Sequence, residues 1–411
     1  MSPGVVFREA SILDPKLGQL RPGCTVVVAE GRVREVSERP PSASAERVIN
    51  LRGAVLMPGL IDCHVHVTAV SADVWGMAEW SPTYVAARAG QVLRGMLQRG
   101  FTTVRDVGGC DFGLARAVAE GYLEGPRVVF GGKMLSQTGG AGEWRGPGRV
   151  VFDPHYFAPT LATICDGVDE VRKAAREEIR RGAGHLKLYL SGAVDAPSDR
   201  VDATQFSLEE ISAAVEEAEA ANIYVAGHAY TSRAINRGLA SGVRTIEHGN
   251  LMDSSSLPLF LEHGAYYVPT LVTYHALGQQ GRALGVPEEA LAKLPPVQAG
   301  GLRALELCHR AGVAIAYGSD LLAEMHAEQS FEFTLRAEVQ PAADILRSAT
   351  TVGAELLGMS GQVGEITEGA LADLLVLDAN PLQDVTVLSR PDRHLKLIMQ
   401  GGRIVRDELA A

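Results

Sequence analysis

The chain has 411 residues, 46% hydrophobic and 21% charged, which suits a large enzyme domain with an accessory one and argues against disorder or a fibrous fold. Its formal net charge of -11 argues against nucleic acid or an anionic membrane as the main partner. The five cysteines, Cys24, Cys63, Cys110, Cys165 and Cys308, are scattered without a C-x-x-C pair, which argues against a disulfide framework or a cysteine-built zinc module.

The N-terminus shows no basic segment leading into an apolar one, and no window approaches the ~18 apolar residues of a membrane helix. A cytoplasmic, soluble protein is the expectation. The first stretch reads as short strands at 5–8, 24–29 and 32–37, the last two joined by the Glu30-Gly31 turn. From there the pattern changes. Short apolar runs at 55–60, 102–105, 127–131, 185–190, 224–229, 244–247, 266–271 and 314–318 alternate with helical stretches such as 208–221 and 298–311. Eight strand–helix units predict an α/β protein, a (β/α)8 TIM barrel, over residues 58–364. Short strands return at 374–377, 397–399 and 403–406. With residues 1–57, residues 365–411 are expected to form a composite β-sandwich domain. Residues 139–159 and 277–296 read as irregular loops.

Chemistry-bearing residues fall at the ends of the expected strands. His64 and His66 are two apart on one strand, so both imidazoles share a face and can bind one cation. Cys63 between them points the other way and reads as a packed residue. Lys187, His228, His248 and Asp320 end later strands. Taken singly, each has a plain alternative: an ion-paired lysine, packing histidines, an aspartate capping a helix. Together they mark the C-terminal rim, where catalytic groups of such barrels sit.

These residues lie in PGLIDCHVH (58–66), GFTTVRD (100–106), EHG (247–249), GSD (318–320) and GEITEGALADLLVLDANPL (364–382). On these motifs the chain resembles the amidohydrolase superfamily over nearly its whole length. SQTGG (136–140), GHAYT (227–231), TIEHGN (245–250) and VPTLVTY (268–274) are similar to the prolidase-like, or Xaa-Pro dipeptidase-like, branch.

The resemblance implies two divalent ions, zinc being the expected one. His64, His66 and Asp320 would hold the first, His228 and His248 the second, and a carboxylated Lys187 would bridge them. A free ammonium has no lone pair, so a lysine among ligands makes sense only when modified. The implied nucleophile is a water or hydroxide between the ions, with Asp320 moving the proton and Tyr230 stabilising the oxyanion. The implied substrate is a small molecule with an amide bond: a dipeptide, an N-acyl amino acid, or an aryl or acyl amide. Symmetric homo-oligomers, octamers among them, are also implied.

One departure stands out. Where the branch carries GGH, this chain has Gly139-Gly140-Ala141. Trp144, Arg145, Tyr274, His275 and His326 are therefore candidate substrate contacts, Arg145 for a carboxylate and the two histidines as replacements for the missing imidazole. An exposed arginine and surface histidines are the plain alternatives. A toxin or xenobiotic amide or carbamate suits the same site. A mononuclear deaminase or cyclic-imide hydrolase, which generally lacks the bridging lysine, and a non-catalytic barrel are the competing readings.

Overall fold

The computed structural model describes residues 4–39, 47–74, 76–143, 160–196 and 199–409. It divides into two compact units, one of residues 1–62, 95–103 and 333–411, the other of residues 63–94 and 104–332.

In the first unit the two chain ends meet in one eight-stranded mixed sheet. The strand Val55–Pro58 joins them. It pairs parallel with Val5–Asp14 on one edge and antiparallel with Leu374–Leu377 on the other, so one ladder runs across both chain ends. Residues two apart share a face. Hence Val26 and Val28, Leu374 and Val376, and Leu397 and Met399 all enter one aliphatic core with Phe7 and Ile12.

The run expected as the first barrel strand, 55–60, is two strands. Val55–Pro58 belongs to the large sheet, and Leu60–Val65 begins the next. Gly59 separates them. A Cβ there would lie 2.1 Å from Thr102 Oγ1, so only glycine fits this close approach.

In the second unit a parallel sheet runs in the order Ala162–Ile164, Met134–Ser136, Leu186–Tyr189, Val225–Thr231, Thr245–Leu251, Tyr266–Val268, Ala314–Ile315. Helices separate most of these strands. Leu208–Ala220 opens with a capping box between Ser207 and Glu210, and Thr231 caps Ser232–Ala240. A three-stranded sheet of Leu60–Val65, Phe101–Asp106 and Arg127–Phe130 completes the α/β pattern.

The described residues form no closed eight-stranded ladder. Single backbone hydrogen bonds take its place at two seams. Gly184 N donates to Phe130 O at 2.9 Å. Cys63 N donates to Tyr317 O at 2.7 Å and Asp320 N to His64 O at 2.8 Å. Glycines at 131–132 and a left-handed Asp320 (φ 55°) bend the chain out of regular pairing there.

Residues 277–296 are not the loop their prolines and glycines suggested. Leu271–Gln280 and Glu288–Ala311 are helices, and the second contains Pro295 and Pro296. Packing of its buried face, which includes Leu294, Val297 and Leu305, overrides the local cost of proline. Among the described residues no helix is long and apolar enough to cross a membrane.

Candidate metal centre

The second unit gathers the six expected ligands around one cavity. His64, His66, Lys187, His228, His248 and Asp320 all line it, with Tyr189, Tyr230, Tyr274 and Asp195. Each projects from a strand or the segment just after one.

His64, His66 and Asp320 are the tightest group, with one ligand atom from each inside 4.8 Å of the others. Their hydrogen bonds fix which ring nitrogens are available. His64 Nδ1 lies 2.7 Å from Glu247 Oε2. Burial opposes ionisation of Glu247, but Arg105 and His64 hold its carboxyl well below the usual range. His64 Nδ1 therefore donates. His66 Nδ1 lies 2.7 Å from the Gly108 carbonyl and must donate too. Both rings then turn Nε2 to Asp320 Oδ1, at 3.2 and 3.3 Å. Three acceptor atoms facing one another repel unless a proton or a cation lies between them. The donor set thus fits a divalent ion. Without one, the arrangement favours protons. Burial pulls the His66 imidazole down, yet Asp320 and Asp106 leave it raised. Burial pushes Asp320 up, yet His64, His66 and His248 hold it well below the usual range.

Lys187 is 1% exposed. Among the described residues no group hydrogen-bonds or ion-pairs with its amine. An isolated buried ammonium is costly. Burial brings its pKa down to about 8, against the pull of Glu247 and Asp320. The rings of His228 and His248 are 4.5 Å apart. His228 Nε2 lies 3.1 Å from the Gly192 carbonyl, so Nδ1 keeps a lone pair, and burial with Lys187 nearby lowers its pKa to about 3. His248 Nδ1 lies 2.8 Å from Thr270 Oγ1, and burial with His228 nearby holds this ring well below the usual range. Both histidines are neutral, as ligation requires.

Support for this cluster escaped sequence reasoning. Arg105 is fully buried. Its Nη2 donates to Glu247 Oε1 at 2.8 Å and its Nη1 to Thr245 Oγ1 at 3.2 Å, while its Nε also donates to the Cys63 carbonyl. Arg105 thus fixes Glu247, which fixes His64. Strand alternation would send consecutive Glu247 and His248 to opposite faces. His248 (φ 76°) and Gly249 (φ 60°) are left-handed, which breaks the alternation and lets both side chains reach the ligand cluster. The available signal was a charged pair inside apolar strands followed by glycine.

The remaining candidates are dispersed. Tyr274 Oη donates to Tyr230 Oη at 3.1 Å inside the cavity. His275 packs on the Phe331 ring at 4.8 Å, and His326 Nε2 lies 3.2 Å from the Ala69 carbonyl; neither lines the cavity. Ala141 is buried, its N–H donating to Gln205 Oε1 at 3.1 Å. Trp144 and Arg145 lie outside the described residues. His185 stacks on Tyr224 at 5.7 Å, a packing role.

A family model described as the amidohydrolase family matches residues 55–405. The chain belongs to the amidohydrolase family. It is 32% identical to an ochratoxinase from Aspergillus niger over 369 residues, covering 86% of this chain and 76% of that one. Among solved structures, a prolidase complexed with N-methylphosphonate-L-proline is 46% identical with a TM-score of 0.96, covering 98% of this amidohydrolase and 100% of that chain. A Xaa-Pro dipeptidase with methionine bound in its active site is 28% identical with a TM-score of 0.87, covering 98% and 100%. This amidohydrolase is therefore a hydrolase acting on amide bonds, of the prolidase-like branch.

Proposed function

We propose that this amidohydrolase cleaves an amide C–N bond with two divalent ions, zinc being the expected metal, on a closed (β/α)8 barrel. His64, His66 and Asp320 would hold one ion, His228 and His248 the other, and carboxylated Lys187 would span both. The observation that carries this reading is the convergence of three acceptor atoms at His64, His66 and Asp320 beside a buried lysine without a partner among the described residues. The backbone bonds at the two seams support the barrel.

Bound ions would acidify water and polarise a carbonyl. The chain supplies the rest. The neutral Lys187 amine adds to carbon dioxide, forming an N–C bond and releasing one proton; a pKa of about 8 leaves more neutral amine at pH 7 than an ordinary lysine has. Asp320 takes the proton of the attacking water and passes it to the leaving amine. Tyr230 accepts a hydrogen bond from Tyr274, so its own proton is left to donate to the oxyanion as it develops.

The substrate is a dipeptide, an N-acyl amino acid or a similar aryl or acyl amide, a class supported by the prolidase and Xaa-Pro dipeptidase structures. A second reading, a toxin or xenobiotic amide, is favoured by the similarity to ochratoxinase. A mononuclear deaminase or cyclic-imide hydrolase generally lacks the bridging lysine, so Lys187 counts against it, and a scaffold usually loses ligands, whereas all six candidates are present here. The working form is a homo-oligomer acting on a small molecule. Metal analysis with a screen of dipeptides, N-acyl amino acids and aryl amides tests the proposal. The expected result is about two ions per chain, with turnover that a chelator abolishes. One ion or none after full loading would sink the two-metal reading.

A further inference from the structure

The helix Leu271–Gln280 begins in an unusual way. Its N-cap is Thr270, fully buried and left-handed at φ 46° and ψ 47°, a rare conformation for a β-branched residue. Threonine commonly caps a helix with its own hydroxyl, yet Thr270 makes no such bond. Buried Glu332 serves the helix start from another segment: Val272 N donates to its Oε2 at 2.7 Å. The Thr270 hydroxyl is left for another partner, and it lies 2.8 Å from His248 Nδ1.

That bond has a direction. A neutral imidazole carries one proton, and the nitrogen that ligates a cation must lack it. With Nδ1 against Thr270 and Nε2 kept for a cation, Nδ1–H donates and Thr270 Oγ1 accepts. Asp320 Oδ2 is 3.8 Å from the same nitrogen, beyond hydrogen-bond range. Thr270 keeps its own hydrogen for a second partner. Tyr274, one helical turn on, interacts with the Thr270 hydroxyl, and its Oη donates to Tyr230 Oη at 3.1 Å. A row of donors thus runs one way, from His248 through Thr270 and Tyr274 to Tyr230, and only the last hydrogen is left to face a substrate. Members of such a row polarise one another. All four side chains are buried. The Tyr230 ring is 5.6 Å from that of His248 and 4.9 Å from that of His228, so the row returns to the cluster it started from.

We propose that Thr270 is a positioning residue shared by two parts of the centre: its hydroxyl fixes the His248 ring for ligation and, through Tyr274, sets the Tyr230 hydroxyl toward the developing oxyanion. The inference rests on the two-metal amide-hydrolase reading above and adds a coupling within it.

The test uses the full chain loaded with zinc or cobalt, the fastest amide of the screen above, and the variants Thr270→Val, Thr270→Ser, Tyr274→Phe and the double variant Thr270→Val with Tyr274→Phe. Valine keeps the β-branched shape and removes only the hydroxyl. Thr270→Val should weaken metal binding by about 10- to 100-fold in competition with a chromogenic chelator, because the His248 N–H loses its acceptor. At saturating metal it should still lower kcat by about 10-fold with KM within about twofold, since the oxyanion donor acts in the transition state. Thr270→Ser should restore both. Tyr274→Phe should lower kcat by about the same factor and leave metal affinity unchanged. The double variant should be no slower than the slower single one, because both substitutions break one row. Unchanged metal affinity or unchanged kcat in Thr270→Val, serine values as low as those of valine, or losses that multiply in the double variant would overturn the proposal while leaving amide hydrolysis standing. A wild type that binds no metal and turns over no amide would overturn both. If Thr270→Val fails to fold, Thr270→Ala removes the same hydroxyl without a β-branch to strain and carries the same expectations.

Discussion

The two compact units place the same unusual backbone conformation in opposite settings. In the unit built from the chain ends, the non-glycine residues with left-handed φ include Glu9, Glu30 and Arg52, all exposed, Glu9 at an irregularity inside the strand Val5–Asp14 and the other two in turns. The core there is aliphatic, from Phe7 to Met399. In the other unit the left-handed residues include His248 (φ 76°), Thr270 (φ 46°) and Asp320 (φ 55°), two of them expected ligands and the third a hydrogen-bond partner of His248. Such conformations cost roughly 1–3 kcal/mol each. One region is arranged for stability, with strain at solvent-exposed positions. The other accepts strain and buried charge because both aim side chains at a single point.

That contrast can be broken by mutation, and activity should fall in a definite order. Lys187→Ala should lose bound metal and turnover together, with partial return on adding a small carboxylic acid; metal analysis with full activity would remove the bridging role. Asp320→Asn should cut kcat at least ~100-fold through loss of proton transfer. A near-normal rate would point to another base. Glu247→Gln should weaken metal binding by about 10- to 100-fold, read by competition with a chromogenic chelator, because His64 loses its orienting carboxylate. Unchanged affinity would mean that Arg105 and Glu247 only pack. The smallest effect on chemistry should come from the other unit. Phe7→Ala should lower unfolding stability by about 3–5 kcal/mol in denaturant titration yet leave kcat within about twofold. A large loss of kcat would show that the two regions are not separable in this way.

The residues that line the candidate site were legible as candidates because strand ends are local features. His64 and His66 share a face by parity alone, and Lys187, His228, His248 and Asp320 each follow an apolar run. The partners that hold them were not legible. Arg105 and Glu247 are separated by 142 residues in sequence and His64 and Glu247 by 183, distances at which no local pattern carries information. The fold failed at places where a local signal was outweighed. Val55–Pro58 and Leu60–Val65 read as one strand because Gly59 interrupts without changing the apolar pattern. The prolines at 295 and 296 read as a break that packing does not permit. The candidates in loops, His275 and His326, were chosen by residue type alone, and both satisfy themselves away from the cavity.

The tandem of Glu247 and His248 sets a rule for anyone copying this centre onto another scaffold. The six candidate ligands grafted onto regular strands would deliver the imidazole or its supporting carboxylate, never both from adjacent positions. The graft must carry the kink as well, including Gly249, where an added Cβ would lie 2.3 Å from Met252 Cε and 2.7 Å from the Tyr267 ring. The portable unit is therefore a three-residue corner with its own clearance, and a ligand list without it describes half a site.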